Sequence, residues 1–190
     1  MQVCEGHITF DEAYLALSSM ATRKSPGSHG LPVAFCLAFW DRLRPALFEV
    51  FNASFYSGCL PISPRGAPIS LVFKKGDGLL HKNWRPISLL NADYKLCARV
   101  LAGRLLKVMD LVTASDKTCG VAGRFIGQNV SFLSYIAFYT NERNLPFAIL
   151  SLDQEKAFDR VDSPFLFSVL SKVGYGPSFI KWVKIGKSVV

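Results

Sequence analysis

A chain of 190 residues accommodates one domain, or one with an appended part, and at this length it buries roughly 70% of its unfolded surface. Half of its residues are apolar and 13% are aromatic, without low-complexity tracts or internal repeats, which excludes an intrinsically disordered segment. A net charge of +8 with pI near 9.4 points to a polyanionic partner, either nucleic acid or an anionic membrane surface.

Taken in chain order, Thr9-Phe-Asp-Glu12 reads as a capping box opening a short helix to about Ser19. Lys24 to Gly30 is dense in turn formers. Residues 32–57 carry a helical pattern, and Pro45 is expected to begin a second helix there, because proline suits a first helical turn. Leu47, Phe48, Phe51 and Phe55 fall on one face, and Gly58 ends the run. Residues 68–75 and 85–90 read as two strands joined across the turn Gly76-Asp77-Gly78, a hairpin with cations near its tip. A long helix is expected from Asn91 or Asp93 to about Leu111, with an apolar stripe of Cys97, Val100, Leu101, Leu105, Val108 and Met109. Arg99, Arg104 and Lys107 lie off that stripe and, with Lys95, line either a nucleic-acid track or a solvated face. A glycine-containing loop, Gly120 to Arg124, precedes a helix over 128–139. The apolar run 147–152 then reads as a buried strand ending in Asp153, followed by helices opened by Ser163-Pro164 and by Pro177. Helices first, then strands and helices interleaved, predict an α+β fold. The expected parts are a helix-rich region over 1–67, a second region over 68–145 and a third over 146–190.

A strand that delivers a carboxylate at its tip suits a hard cation such as Mg²⁺, which takes oxygen ligands and retains substrate phosphates among them. Taken singly, Asp153 also reads as a strand end, Phe158 as core, and Glu155 or Asp159 as an ion-pair partner of Lys156 or Arg160. The five cysteines are widely spaced and lack any C-x-x-C, so zinc is not expected. Their odd number favours reduced thiols in a cytoplasmic or nuclear setting. No secretory signal pattern opens the chain and no apolar run reaches about 18 residues, so an intracellular protein without a membrane span is expected.

Several segments together carry a resemblance. Ser25-Pro26-Gly27-Ser28-His29-Gly30, Gly58-Cys59-Leu60-Pro61 and Lys74-Lys75-Gly76-Asp77 come first. Asn83-Trp84-Arg85-Pro86-Ile87-Ser88-Leu89-Leu90-Asn91 follows, then Asp93-Tyr94-Lys95 with Leu101 to Leu105, Gly120 to Ile126, and Asp153 to Val161. In this order and spacing they resemble the reverse transcriptases of non-LTR retrotransposons, the long-interspersed-element type. The resemblance covers nearly the whole chain. It implies the fingers and part of the palm of a right-hand polymerase, with fingers over 68–145 and partial palm over 146–190. The implied activity is RNA-directed DNA synthesis from an RNA template, a DNA primer and dNTPs. The implied cofactor is Mg²⁺, with Mn²⁺ as the alternative, in a two-metal nucleotidyl transfer. By the same resemblance Asp153 is a catalytic metal ligand and Phe158 a steric gate against the 2′-hydroxyl. Lys74, Lys75 and Arg85 grip the triphosphate, which suits a point charge and a planar fork respectively. Gly123 and Arg124 approach the template.

Three positions depart from the family pattern. His29 stands where aspartate is usual, Lys117 replaces glutamine in a D-Q-T pattern, and residues 182–190 drift. The family's aromatic-x-Asp-Asp hairpin does not occur in these 190 residues. The chain is therefore expected to be a truncated copy or fragment that does not polymerise alone. The competing readings are a catalytically inactive nucleic-acid-binding remnant and a degenerate product with an exposed sheet edge.

Overall fold

A computed structural model describes residues 2–61, 67–154 and 160–187. The chain divides into two compact units, residues 1–104 with 175–190, and residues 105–174.

The first unit is built from helices α1 (Phe10–Ser18), α2 (Val33–Ala38), α3 (Trp40–Ser57), α4 (Ala92–Leu106, whose last two residues fall in the second unit) and α8 (Pro177–Lys187), with strands β1 (Ile69–Phe73) and β2 (Trp84–Ser88). The predicted capping box forms: Glu12 N donates to Thr9 Oγ1 at 3.3 Å and Thr9 N to Glu12 Oε2 at 3.1 Å. Gly58 ends α3 at φ +77°, its N–H donating to Ser54 O at 2.9 Å. That left-handed conformation is one that glycine adopts without a steric penalty.

Pro45 is a correction. It lies inside α3, not at a helix start. The break between α2 and α3 falls at Phe39 (φ −109°, ψ 23°), so Trp40 begins the helix and is itself buried. Proline here costs the bond to the Asp41 carbonyl, at the exposed side of the helix, while Trp40, Phe48 and Phe51 are anchored in the core.

The core of this unit joins the two ends of the chain. Phe48, Phe51, Leu96, Val100, Phe179, Trp182 and Ile185 are buried. Trp182 packs on Phe55 at 5.1 Å between ring centroids and donates Nε1–H to Gly6 O at 3.3 Å. Glu5 caps α8, accepting from the amides of Ser178 (3.1 Å) and Phe179 (3.2 Å), a carboxylate at the positive end of a helix. Cys97 sits in α4 with its thiol pushed up to about 12, chiefly by burial.

β1 and β2 pair antiparallel, Val72 opposite Arg85 and Phe73 opposite Trp84. Every residue of β1 is exposed, so the hairpin projects from the helices.

The second unit contains α5 (Met109–Val112), α6 (Gly127–Glu142) and α7 (Ser163–Val173). Asp162 caps α7 by accepting from Phe165 N at 3.1 Å. Neither α6 nor α7 buries a residue; Phe132, Tyr135, Phe138 and Phe165 are each more than 60% exposed.

The expected buried strand over 147–153 is a second correction. Residues 145–154 have no regular secondary structure, and Ile149, Leu150 and Leu152 are 62%, 80% and 84% exposed. An apolar run becomes a strand only when a neighbour supplies the ladder hydrogen bonds. Among the described residues no strand pairs with this one.

Candidate nucleotide and template sites

The hairpin groups three predicted residues. Beyond β1, Lys74 continues the ladder, its N–H donating to Asn83 O at 2.8 Å. Because side chains alternate faces along a strand, Lys74 and Arg85 lie on the same face as diagonal neighbours. Phe73 and Trp84 share the opposite face, with ring centroids 5.4 Å apart. Lys74, Lys75 and Arg85 are all exposed. Among the described residues their side chains make no hydrogen bond or ion pair.

The neighbouring motif residues build the scaffold. Asp77 accepts Leu79 N at 2.9 Å through its side chain, and its carbonyl accepts Asn83 Nδ2 at 2.7 Å. Trp84 donates Nε1–H to Gly78 O at 2.8 Å. Gly76 is at φ +90°, and a Cβ there would lie 2.9 Å from the Asn83 side chain. The Asp-Gly and Asn-Trp parts of the pattern thus hold the tip in shape. Trp84 is not stacked on Arg85; as sequence neighbours on a strand they face opposite ways.

A second junction ties the turn at 25–30 to the end of β2. Asn91, 1% exposed, accepts the His29 amide on Oδ1 at 3.2 Å and donates Nδ2–H to Ser28 Oγ at 3.3 Å. Lys95 Nζ reaches Ser25 O at 3.2 Å. A Cβ on Gly27 would lie 2.2 Å from Asn91 Oδ1 and 2.6 Å from its backbone nitrogen. Backbone cannot retreat from such a clash, so Gly27→Ala is expected to destabilise by about 1–3 kcal/mol. At about 2–4 °C per kcal/mol for a chain of this size, a thermal melt reads the loss; an unchanged melting temperature would contradict this packing.

Arg104 is a third correction, to the expectation of an off-stripe basic residue. It is 3% exposed. Nε and Nη2 donate to the two Glu12 carboxylate oxygens at 2.9 and 2.7 Å. Nη1 donates to the carbonyls of Cys4 (3.1 Å) and Gly6 (2.9 Å), and Nη2 to that of His7 (2.6 Å). All five N–H groups are consumed. The bond from Arg104 lowers the Glu12 pKa, against burial, which raises it. Position 104 lies three residues after Leu101 and four before Val108, on the buried face; the partners that make burial of its charge tolerable come from the other end of the unit's sequence, 92 to 100 residues away.

In the second unit, Arg124 is used in the same way. Nε and Nη2 donate to Asp110 Oδ1 at 3.1 and 2.7 Å, Nη1 to the carbonyls of Ala114 and Lys117, and Nη2 to that of Thr113. Asn129 adds bonds to Asp116 O (2.7 Å) and Thr118 Oγ1 (3.3 Å). These staples hold a loop in which Gly120 and Gly123 sit at φ +77° and +79° with open space where a Cβ would be. Both glycines are exposed.

Asp153 is exposed. Phe158, together with Lys156 and Asp159, lies outside the described residues. Among the described residues no group of three or more His, Cys, Asp or Glu side chains is arranged to hold a metal ion. One exposed carboxylate does not satisfy the near-octahedral demand of Mg²⁺, so the donor set described here does not by itself fit the cation. No helix among the described residues is long and apolar enough to cross a membrane.

The chain is similar to the transposon TX1 uncharacterized 149 kDa protein of Xenopus laevis, 44% identical over 180 residues that cover 95% of this chain and 14% of that protein. It is similar also to the retrovirus-related Pol polyprotein from type-1 retrotransposable element R2 of Popillia japonica, 29% identical over 150 residues that cover 79% of the chain and 20% of that protein. The chain therefore spans a small part of the length of these relatives. The family model for reverse transcriptase (RNA-dependent DNA polymerase) matches residues 72–187, more than half of the sequence and both the cationic hairpin and Asp153. The chain belongs to the reverse transcriptase family, as a retrotransposon-type member.

Proposed function

We propose that this chain supplies the nucleotide-gripping hairpin and one catalytic carboxylate of an RNA-directed DNA polymerase whose remaining active-site residues lie elsewhere in a longer protein. The carrying observation is the division of labour among its cations. Arg104 and Arg124 spend every donor within the chain, whereas Lys74, Lys75 and Arg85 stand exposed on one braced hairpin. Lys74 and Arg85, diagonal neighbours on one face of the hairpin, repel each other, and a triphosphate would relieve that repulsion.

In this reading residues 68–145 correspond to fingers and 146–190 to partial palm, with an RNA template and a DNA primer as partners. Asp153 would be one ligand of Mg²⁺, or of Mn²⁺, and Phe158 the gate beneath the incoming sugar. Because the donors of Arg124 are committed, its part toward the template is that of a positioning residue. It holds the Gly120 and Gly123 backbone open for close approach by the nucleic-acid backbone.

The test is steady-state dNTP incorporation by a longer protein containing this chain. Arg85→Ala removes charge-assisted bonds worth about 1.5–3 kcal/mol, so KM for dNTP is expected to rise by about tenfold or more. Lys74→Ala is expected to act in the same direction. Lys82→Ala, on the same hairpin, is expected to leave KM near its original value. An equal effect of all three would reduce the site to a general basic surface.

A further inference from the structure

In α3, Leu43, Ala46, Leu47 and Val50 recur at i, i+3, i+4 and i+7, the spacing of a core-facing stripe. Yet none of the four is buried. They face a cavity of about 220 Å³ in the first unit, lined also by Trp40 at the start of α3 and walled on other sides by Leu17 and Leu96. Ala46 is exposed and the other three are half-buried, so the cavity opens to solvent along this face of α3. An apolar cavity of about 150 Å³ is already large enough to take up benzene.

The polar groups on the cavity are few. They belong to Asp93 and Cys36, whose carboxylate and thiol are close enough to interact, and to His29 at the rim. Burial first, and then the charge of Asp93, raise the Cys36 pKa, so that thiol is neutral at physiological pH. One Asp93 oxygen accepts the Tyr94 amide at 2.7 Å. The other has no hydrogen-bond donor among the described residues. The lining therefore combines an aliphatic wall, one indole and one carboxylate acceptor, without a lysine or arginine.

We propose that this cavity binds a small planar heteroaromatic ring that carries an N–H donor, seated against the α3 stripe with its N–H on Asp93. The volume excludes a docked helix, and an acidic wall disfavours an anionic ligand. The same ring chemistry has two sources, a free small molecule or an unstacked nucleobase. The cavity shares no residue with the cationic hairpin or with Asp153, so it stands independently of the proposed function.

Benzimidazole, and indane as a ring of the same shape without N–H, are titrated into the 190-residue chain and followed by backbone amide shifts. Benzimidazole is expected to move the signals of Cys36, Leu47 and Asp93 and to bind more tightly than indane. Asp93→Asn is expected to remove that advantage. Ala46→Leu fills the cavity and is expected to weaken both ligands at least tenfold while the circular dichroism spectrum is retained. Val50→Phe fills it from one turn further along and serves where Ala46→Leu does not fold. Undiminished binding in either folded variant, or no shift at the solubility limit, overturns the proposal. A short single-stranded RNA that displaces benzimidazole identifies the ring as a nucleobase. RNA that leaves benzimidazole bound identifies it as a small molecule, and both results retain the site.

Discussion

Replacing Asp153 by asparagine in a longer protein that contains this chain is expected to abolish DNA synthesis on a primed RNA template. Asparagine preserves size and removes the charge that a hard divalent cation requires of its oxygen ligands. Metal stabilisation of a phosphoryl-type transition state supplies several kcal/mol, and each 1.36 kcal/mol is tenfold in rate, so a loss of about a thousandfold or more is expected. The exposure of Asp153 at the end of an apolar, unpaired segment fits a residue whose surroundings are completed by other parts of the protein. Single-turnover incorporation reads the effect. A reduction of only a few fold would remove Asp153 from the metal site and leave the family assignment intact.

Arg104→Met is expected to produce the largest loss of stability. Methionine keeps the apolar stem but leaves the carbonyls of Cys4, Gly6 and His7 without their donor and the half-buried Glu12 carboxylate with its Thr9 bonds alone. Leaving a buried or part-buried carbonyl without a donor costs about 1–3 kcal/mol, so the three together cost a large fraction of the 5–15 kcal/mol that is typical of a folded domain. Lysine restores charge without the five-donor fork and is expected to recover little of it. The pair also sets a pH dependence. The Glu12 pKa is lowered in the folded chain, so its contribution is fully present above the ordinary carboxylate value. That contribution is lost as pH falls through the depressed folded value. Urea unfolding at neutral and acidic pH checks both points: the native chain loses stability toward acid more steeply than Arg104→Met. A loss below about 0.5 kcal/mol, the range of ordinary surface substitutions, would contradict the clamp.

The locally encoded features were legible in the sequence. The Thr9–Glu12 box, the Gly58 cap, the hairpin across Gly76–Gly78 and the helix after Ser163-Pro164 each depend on residues a few positions apart. What could not be read depends on distant partners. Arg104 looks solvated until Glu12, Cys4, Gly6 and His7 are brought to it from 92 to 100 residues away. Asn91 looks like a helix cap until Ser28 and His29 arrive on its side chain. The run 147–152 has strand composition, but composition does not supply a ladder partner. Of the candidate site, Lys74, Lys75 and Arg85 could be grouped from the hairpin pattern alone. The staple role of Arg124 required the loop carbonyls of Thr113, Ala114 and Lys117 to be seen together.

Primer extension offers the most direct test of the account. The 190-residue chain and a longer protein joining it to an aromatic-x-Asp-Asp hairpin of the same family are compared on a primed RNA template with Mg²⁺ and dNTPs. No product is expected from the 190 residues alone, and product from the longer protein is expected to disappear with Asp153→Asn. Product from the 190 residues alone, abolished by Asp153→Ala, would contradict the claim that the site is completed from elsewhere.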